Sequence, residues 1–308
     1  MEEQYEVRTD LALEASESLK TKDGRLSGVS VTKEQVPQMD ALVTKVQIET
    51  KNAAKRMGKP VGTYVTMEVP GLAESDEGFH KEISTLLEEQ IKELLKPMGT
   101  LSCKSFMIVG LGNRAVTADA LGPKVIDHLA VTRHILETYG KEAYNTEVPS
   151  ISAMEPGVMA KTGIETAEMV AGVVAKTKPD FLIVIDALAA RSTKRLYTTI
   201  QISNTGIAPG SGVGNHRNAI NEETMGIPVL AIGIPTVVDA ATIVGDACET
   251  WWHESLKEPG PFPEEVKKYF KELKNMYVTT KEIDEIIETI SYTVSEALNS
   301  AFCGGTVS

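Results

Sequence analysis

Two aspartates at the ends of apolar runs are the residues best placed to do chemistry. One run is Phe106-Met107-Ile108-Val109-Gly110-Leu111-Gly112-Asn113, after which Asp119 follows in Thr117-Ala118-Asp119-Ala120. The other is Phe181-Leu182-Ile183-Val184-Ile185, closed by Asp186 and continued by Ala187-Leu188-Ala189-Ala190-Arg191. Short, uninterrupted apolar runs suit buried strands of a parallel sheet. Ligands bind in the crevice beyond the carboxyl ends of such strands. If the two runs are neighbours, Asp119 and Asp186 meet there, and paired carboxylates are a recurrent device for acid–base work. The plainer alternative makes Asp119 a helix cap and Asp186 a loop support.

Other chemistries fit less well. Gly110-Leu111-Gly112-Asn113 invites a phosphate reading, but position 115 is Ala, so the third glycine of GxGxxG is missing. No GxxxxGK[ST] stretch occurs either. The glycines are better suited to a sharp turn or to close approach by a peptide backbone. Pro209-Gly210-Ser211-Gly212-Val213-Gly214-Asn215 reads as a mobile loop or a substrate-binding lid. It does not match G-x-S-x-G, which argues against a serine hydrolase. Cys103 and Cys248 lack the setting of an activated thiolate. Gly110, Gly112, Asn113, Arg191, Gly210, Ser211 and Gly212 are the candidates to line a substrate site. No metal ligand set and no cofactor are expected.

The elements that must hold these residues alternate. From position 104 the pattern is strand then helix: strand 105–109 and helix 121–139, strand 148–153 and helix 165–176, then strand 181–185. Strand-like 198–203 precedes the glycine-rich loop, followed by strand 228–234 and helix 238–254. This order predicts an α/β fold, a mostly parallel doubly wound sheet with helices on both faces. Alternating patterns over 28–32, 41–48 and 64–69 suggest an N-terminal β-rich appendage over 26–70. Helical spacing covers 81–95, and an amphipathic helix over 280–300 closes the chain. The core sheet is expected within 104–255. The charged, proline-bearing stretch 257–265 reads as an exposed connection, and residues 1 to about 25 as polar with little to anchor them.

The 308 residues carry 43 acidic against 31 basic side chains, a net charge of −12, with 42% hydrophobic residues. A field of that sign disfavours phosphate tracking, so no direct nucleic-acid partner is expected. Three cysteines without CxxC spacing disfavour a structural zinc and suit a reducing compartment. The acidic Met1-Glu2-Glu3 start lacks a signal-peptide core, and no 18-residue apolar run offers a membrane span. A cytoplasmic location is expected.

Several blocks carry a wider likeness. They are Tyr5-Glu6-Val7-Arg8-Thr9-Asp10-Leu11-Ala12-Leu13-Glu14-Ala15, Val109 to Asn113, Thr117 to Pro123, and Pro156-Gly157-Val158-Met159. Thr162 to Thr166, Ile185 to Arg191, Pro209 to Asn215, and Gly233 to Ala240 continue the series. Together, in this order over nearly the whole chain, they resemble the germination protease family of spore-forming bacteria. The resemblance implies an endopeptidase zymogen that degrades small acid-soluble spore proteins in the forespore and spore core. It also implies a homotetramer of single α/β protease domains (11–308), with no cofactor. Asp119 and Asp186 would be its catalytic pair, one activating water while the protonated partner polarises the scissile carbonyl. Two close carboxylates would then share a proton. Residues 1–10 would be a propeptide cut between Asp10 and Leu11, and the chain reads as the precursor form.

The strand–glycine–Asn–acid pattern is also similar to the nickel-dependent peptidases that mature hydrogenases, which implies a shared fold. A metal-dependent peptidase of that kind is the enzymatic alternative, drawing on Asp119, Asp186 and one of His128, His134, His216 or His253. A non-catalytic binding protein on the same scaffold is the other.

Overall fold

The computed structural model describes residues 9–19, 27–73, 76–99, 105–140, 148–209, 218–255, 263, 272–273 and 276–303. The described strands are β1 (Val29–Val36), β2 (Ala41–Ile48), β3 (Gly62–Glu68), β4 (Ser105–Gly110), β5 (Ser150–Met154), β6 (Phe181–Ala190), β7 (Thr199–Ser203), β8 (Val229–Asp239) and β9 (Tyr277–Val278). They form one sheet in the order β1-β2-β3-β7-β8-β6-β4-β5, with β9 paired to β8. β8, β6, β4 and β5 run parallel. β7 is antiparallel to β8 and joins β3, which leads through β2 to the edge strand β1.

The described helices are α1 (Ala12–Ser18), α2 (Lys51–Met57), α3 (Glu77–Leu95), α4 (Leu121–Asp127), α5 (Arg133–Tyr139), α6 (Met159–Thr162), α7 (Thr166–Thr177), α8 (Glu222–Met225), α9 (Ala240–Ser255) and α10 (Ile283–Cys303). Successive strand residues face opposite ways, so each central strand feeds two cores. Phe106, Ile108, Ile183 and Ile185 share one core with Ile83 and Leu87 of α3, Leu121 and Val125 of α4, and Ile287, Ile290 and Val294 of α10. Met107, Val109, Leu182 and Val184 face the other way, onto Ala167, Val170 and Val174 of α7. That two-sided burial is why Phe106–Val109 of β4 and Phe181–Ile185 of β6 carry no polar residue.

The α/β class and the helices on both faces are as expected, but several details differ. The N-terminal strands are not an appendage: β3 pairs with β7 over Tyr64–Glu68, so they extend the central sheet. The sheet is therefore mixed, parallel from β8 to the edge strand β5 and antiparallel from β8 back to β1. Strand β6 does not stop at Ile185 but runs to Ala190, because β8 also continues and pairs with it through Val238. The expected helix 121–139 divides into α4 and α5, where Thr132 leaves the helical path to bond the β5 side through Pro149 and Ile151. Residues 9–19 are anchored rather than loose, with Leu11, Ala12 and Leu13 buried. Most of 257–265 lies outside the described residues.

Candidate active site

Asp119 and Asp186 reach one cavity from two neighbouring strands. β4 and β6 pair up to Gly110 and Ile185, and the Leu111 amide then donates to the Ile185 carbonyl at 2.8 Å. The chain turns away at Gly112, whose φ is +117°. A side chain there would be strained, and its Cβ would lie 2.0 Å from the Asp119 carbonyl and 3.0 Å from Asp119 Oδ1. Asp119 is thus drawn back over the end of β4 by a closed turn. The Asn113 amide donates to the Asp119 carbonyl at 2.8 Å, and the Asp119 amide to the Val116 carbonyl at 2.7 Å. From the β8 side, Thr236 Oγ1 donates to the Ala118 carbonyl at 2.6 Å.

Helix α4 begins at Leu121 with Ala120 as its N-cap, so Asp119 does not occupy the cap position. Asp186 sits inside β6 and is buried, with Oδ1 accepting from the Ala187 amide. Both aspartates line a cavity of about 410 Å³ together with Leu111, Gly112, Gly157, Val158 and Thr236. Asp10 lines it too.

The other residues singled out from the sequence are distributed differently. Gly112 borders the cavity, whereas Gly110 allows β4 to approach α4, where a Cβ would meet the Gly122 carbonyl at 2.3 Å. Asn113 builds the turn, its Oδ1 accepting from the Ala115 amide. Arg191 turns its guanidinium to Asp246, 2.8 Å away, and that hydrogen bond holds its pKa above the usual range. Gly210, Ser211 and Gly212 lie outside the described residues, as do His216 and Cys103. His128 faces Glu288 at 3.4 Å and Tyr292, while His134 and His253 are exposed. Among the described residues no three His, Cys, Asp or Glu side chains gather as metal ligands.

The N-terminal segment supplies what spacing did not foretell. β4 ends at Gly110 while β6 continues, which leaves the backbone of Ala189 open on that side. Asp10 fills the gap: its amide donates to the Ala189 carbonyl, and its Oδ2 accepts from the Ala189 amide, both at 2.9 Å. Leu11 is buried with Leu188, Ala190 and Val238. Glu14, also buried, accepts from the Arg191 amide at 2.8 Å and the Ser192 amide at 3.0 Å, and pairs with Arg195 at 3.1 Å. Burial opposes the Arg195 cation, but Glu17, Glu14 and Glu68 together hold its pKa above the usual range.

Comparison with known proteins settles the relationship. The model of the germination protease family matches residues 6–258, which takes in Asp10, Asp119, Asp186 and the whole parallel sheet. The chain belongs to the germination protease family. A germination protease of Caldanaerobacter subterraneus subsp. tengcongensis is 43% identical over 97% of this chain and 95% of the relative. One from Clostridium perfringens is 42% identical over 96% and 95%, and one from Bacillus mycoides 38% identical over 96% and 94%. A solved NiFe hydrogenase maturation protease from Thermococcus kodakarensis aligns at 17% identity and a TM-score of 0.33, over 65% of this chain and 96% of that one. No described helix is long and apolar enough to cross a membrane.

Proposed function

We propose that this member of the germination protease family is an aspartic-type endopeptidase zymogen. On this reading it removes its residues 1–10 by cutting Asp10–Leu11, then degrades small acid-soluble spore proteins in the spore core. One observation carries it: Asp10 borders the same cavity as Asp119 and Asp186. The bond to be cut and the carboxylates to cut it share one edge of the sheet. One carboxylate takes a proton from water as its oxygen attacks the Asp10 carbonyl carbon, and the protonated partner supplies a hydrogen bond to the carbonyl or a proton to the leaving amine. Asp10, Leu11 and Glu14 meet the end of β6 with an acid, a large apolar side chain and a second acid, the chemistry that an acidic and apolar peptide substrate would offer. The homotetramer belongs to the same proposal and rests on the family alone.

Intact-mass measurement of the full chain under mild acid tests the reading. A new N-terminus at Leu11 is expected, and it should fail to form in folded Asp119→Asn and Asp186→Asn proteins. Loss of a general acid or base lowers rate by about 10²–10⁴. Processing of a folded Asp119→Asn or Asp186→Asn chain at the unmodified rate refutes the assignment. Repeating the assay with a chelator separates it from a metal-dependent cut, which chelation would stop.

A further inference from the structure

The carbonyl oxygen of Asp10 has two side-chain donors on it. Lys59 Nζ lies 2.9 Å away and Gln201 Nε2 3.2 Å away. The other side of the bond is held as well, since the Leu11 amide donates to Thr9 Oγ1 at 3.0 Å and the Ala12 amide to Gln201 Oε1 at 2.7 Å. Gln201 therefore grips both flanks of Leu11 from inside β7. Asp10 and Leu188 line the large cavity and also a smaller one of about 150 Å³, to which Lys59, Tyr64 and Gln201 belong. Asp10 thus borders the cavity that holds Asp119 and Asp186, while its carbonyl oxygen is held by a cation and an amide.

We propose that Lys59 and Gln201 are the oxyanion-stabilising pair for hydrolysis of the Asp10–Leu11 bond. This rests on the self-processing reading above. As the water oxygen bonds to the Asp10 carbonyl carbon, the carbonyl electron pair moves onto its oxygen, and the ammonium and amide hold that charge. The C–N bond then breaks, the pair returns, one water proton ends on the Leu11 amine and Asp10 keeps the new carboxyl group. Preorganised donors aimed at the developing charge are worth most in a water-poor site. Burial also pushes the Lys59 ammonium below its ordinary pKa, against the pull of Asp10 and Glu14, so its neighbourhood is one in which a negative oxygen is welcome. Nothing in the spacing around Lys59 marks it; Gln201 is marked only as a polar residue inside the buried run Ile200-Gln201-Ile202.

The test follows the rate at which Leu11 becomes the N-terminus in the full chain and in Lys59→Met, Lys59→Arg and Gln201→Leu. Amide exchange at Leu11 and Ala12 is read in parallel. Removal of one oxyanion donor lowers rate by about 10²–10³. Lys59→Met should fall by about that much with the segment still protected, Lys59→Arg should recover part of it, and Gln201→Leu should also be slow. Unchanged cleavage in folded Lys59→Met overturns the proposal, and if that variant does not fold, unchanged cleavage in Gln201→Leu does so. Slow cleavage with lost protection also overturns it, because Lys59 would then be only an anchor. If the unmodified chain is never cut at Asp10–Leu11, the self-processing reading itself fails; if it is cut and the variants match it, only this inference fails.

Discussion

Replacing Glu14 by Ala should free the N-terminal segment while the rest of the domain stays folded. The Glu14 side chain is 2% exposed and meets Arg195 at 3.1 Å. It also satisfies the Arg191 and Ser192 amides and accepts from Thr9 Oγ1. Its removal strands two amide donors, each worth about 1–3 kcal/mol when buried and unmet. Arg195 keeps Glu17 and Glu68, at 3.0 and 3.2 Å, so its own loss is partial. The total, about 3–5 kcal/mol, matches what breaking a buried pair costs. Burial of Leu11 and Leu13 contributes about 1.5–3 kcal/mol each, so Glu14 is as large an anchor as the two leucines together. None of these contacts supports the parallel sheet. Hydrogen exchange read by mass spectrometry should show the amides of residues 10–15 losing protection about a hundredfold or more, with β4 and β6 unchanged. Glu14→Ala protein with a fully protected segment would refute the reasoning, since the carboxylate would then not be what holds it.

Three other perturbations test the proposed carboxylate pair, the turn that carries Asp119 and the burial of Tyr64. Asp119→Asn and Asp186→Asn nearly preserve volume, so melting temperatures should stay within a few degrees while self-processing falls by about 10²–10⁴, and the double variant should lose little more. Gly112→Ala, strained at φ +117° with its Cβ 2.0 Å from the Asp119 carbonyl, should displace Asp119 and abolish processing at a stability cost of about 1–3 kcal/mol; full activity would show that the turn is not needed. Burial raises the Tyr64 pKa from 10.0 to about 12, and Thr205 pulls it back only in part. A folded-state pKa above the unfolded one gives stability that is present below pH 10 and lost as pH climbs towards 12. Between those limits the native protein should lose about 3 kcal/mol more than Tyr64→Phe, read from denaturant unfolding at each pH; equal losses would contradict the assignment.

The parallel half of the sheet was legible because burial on both faces leaves a strand no choice but apolar residues, as in Ile108-Val109 and Ile183-Val184-Ile185. The placement of Asp119 and Asp186 followed from where those runs stop. The join between β3 and β7 was not legible: it pairs residues 64–68 with 199–203, and an alternating pattern shows a half-buried face without naming the partner strand. The onward course of β6 was hidden by Asp186 itself, a charge that reads as a strand end until β8 is known to continue beside it. Residues 9–19 looked loose because their leucines sit among Thr9, Asp10 and Glu14, and only the tertiary fold supplies amides for those carboxylates. Lys59 lies just past the end of α2 and carries no local signature at all.

The open stretch of β6 gives these separate observations a common cause. A parallel sheet in which one strand outruns its neighbour exposes amides and carbonyls that must find partners. Here the Ala189, Arg191 and Ser192 amides take the carboxylates of Asp10 and Glu14, and Leu11 fills the apolar hollow between. Receptors of that kind suit a peptide that places an acid on the Ala189 amide and a large apolar residue after it, then turns into a helix so that a second acid four positions on meets the Arg191 and Ser192 amides. A second peptide cannot take this edge while residues 10–14 hold it. Cutting at Asp10–Leu11 removes the covalent tie of Asp10 alone, because Leu11, Leu13 and Glu14 keep their own anchors. On the proposed function, activation therefore vacates the Ala189 receptor and its side of the cavity first, and substrate entry would further require the Glu14 site to exchange its occupant.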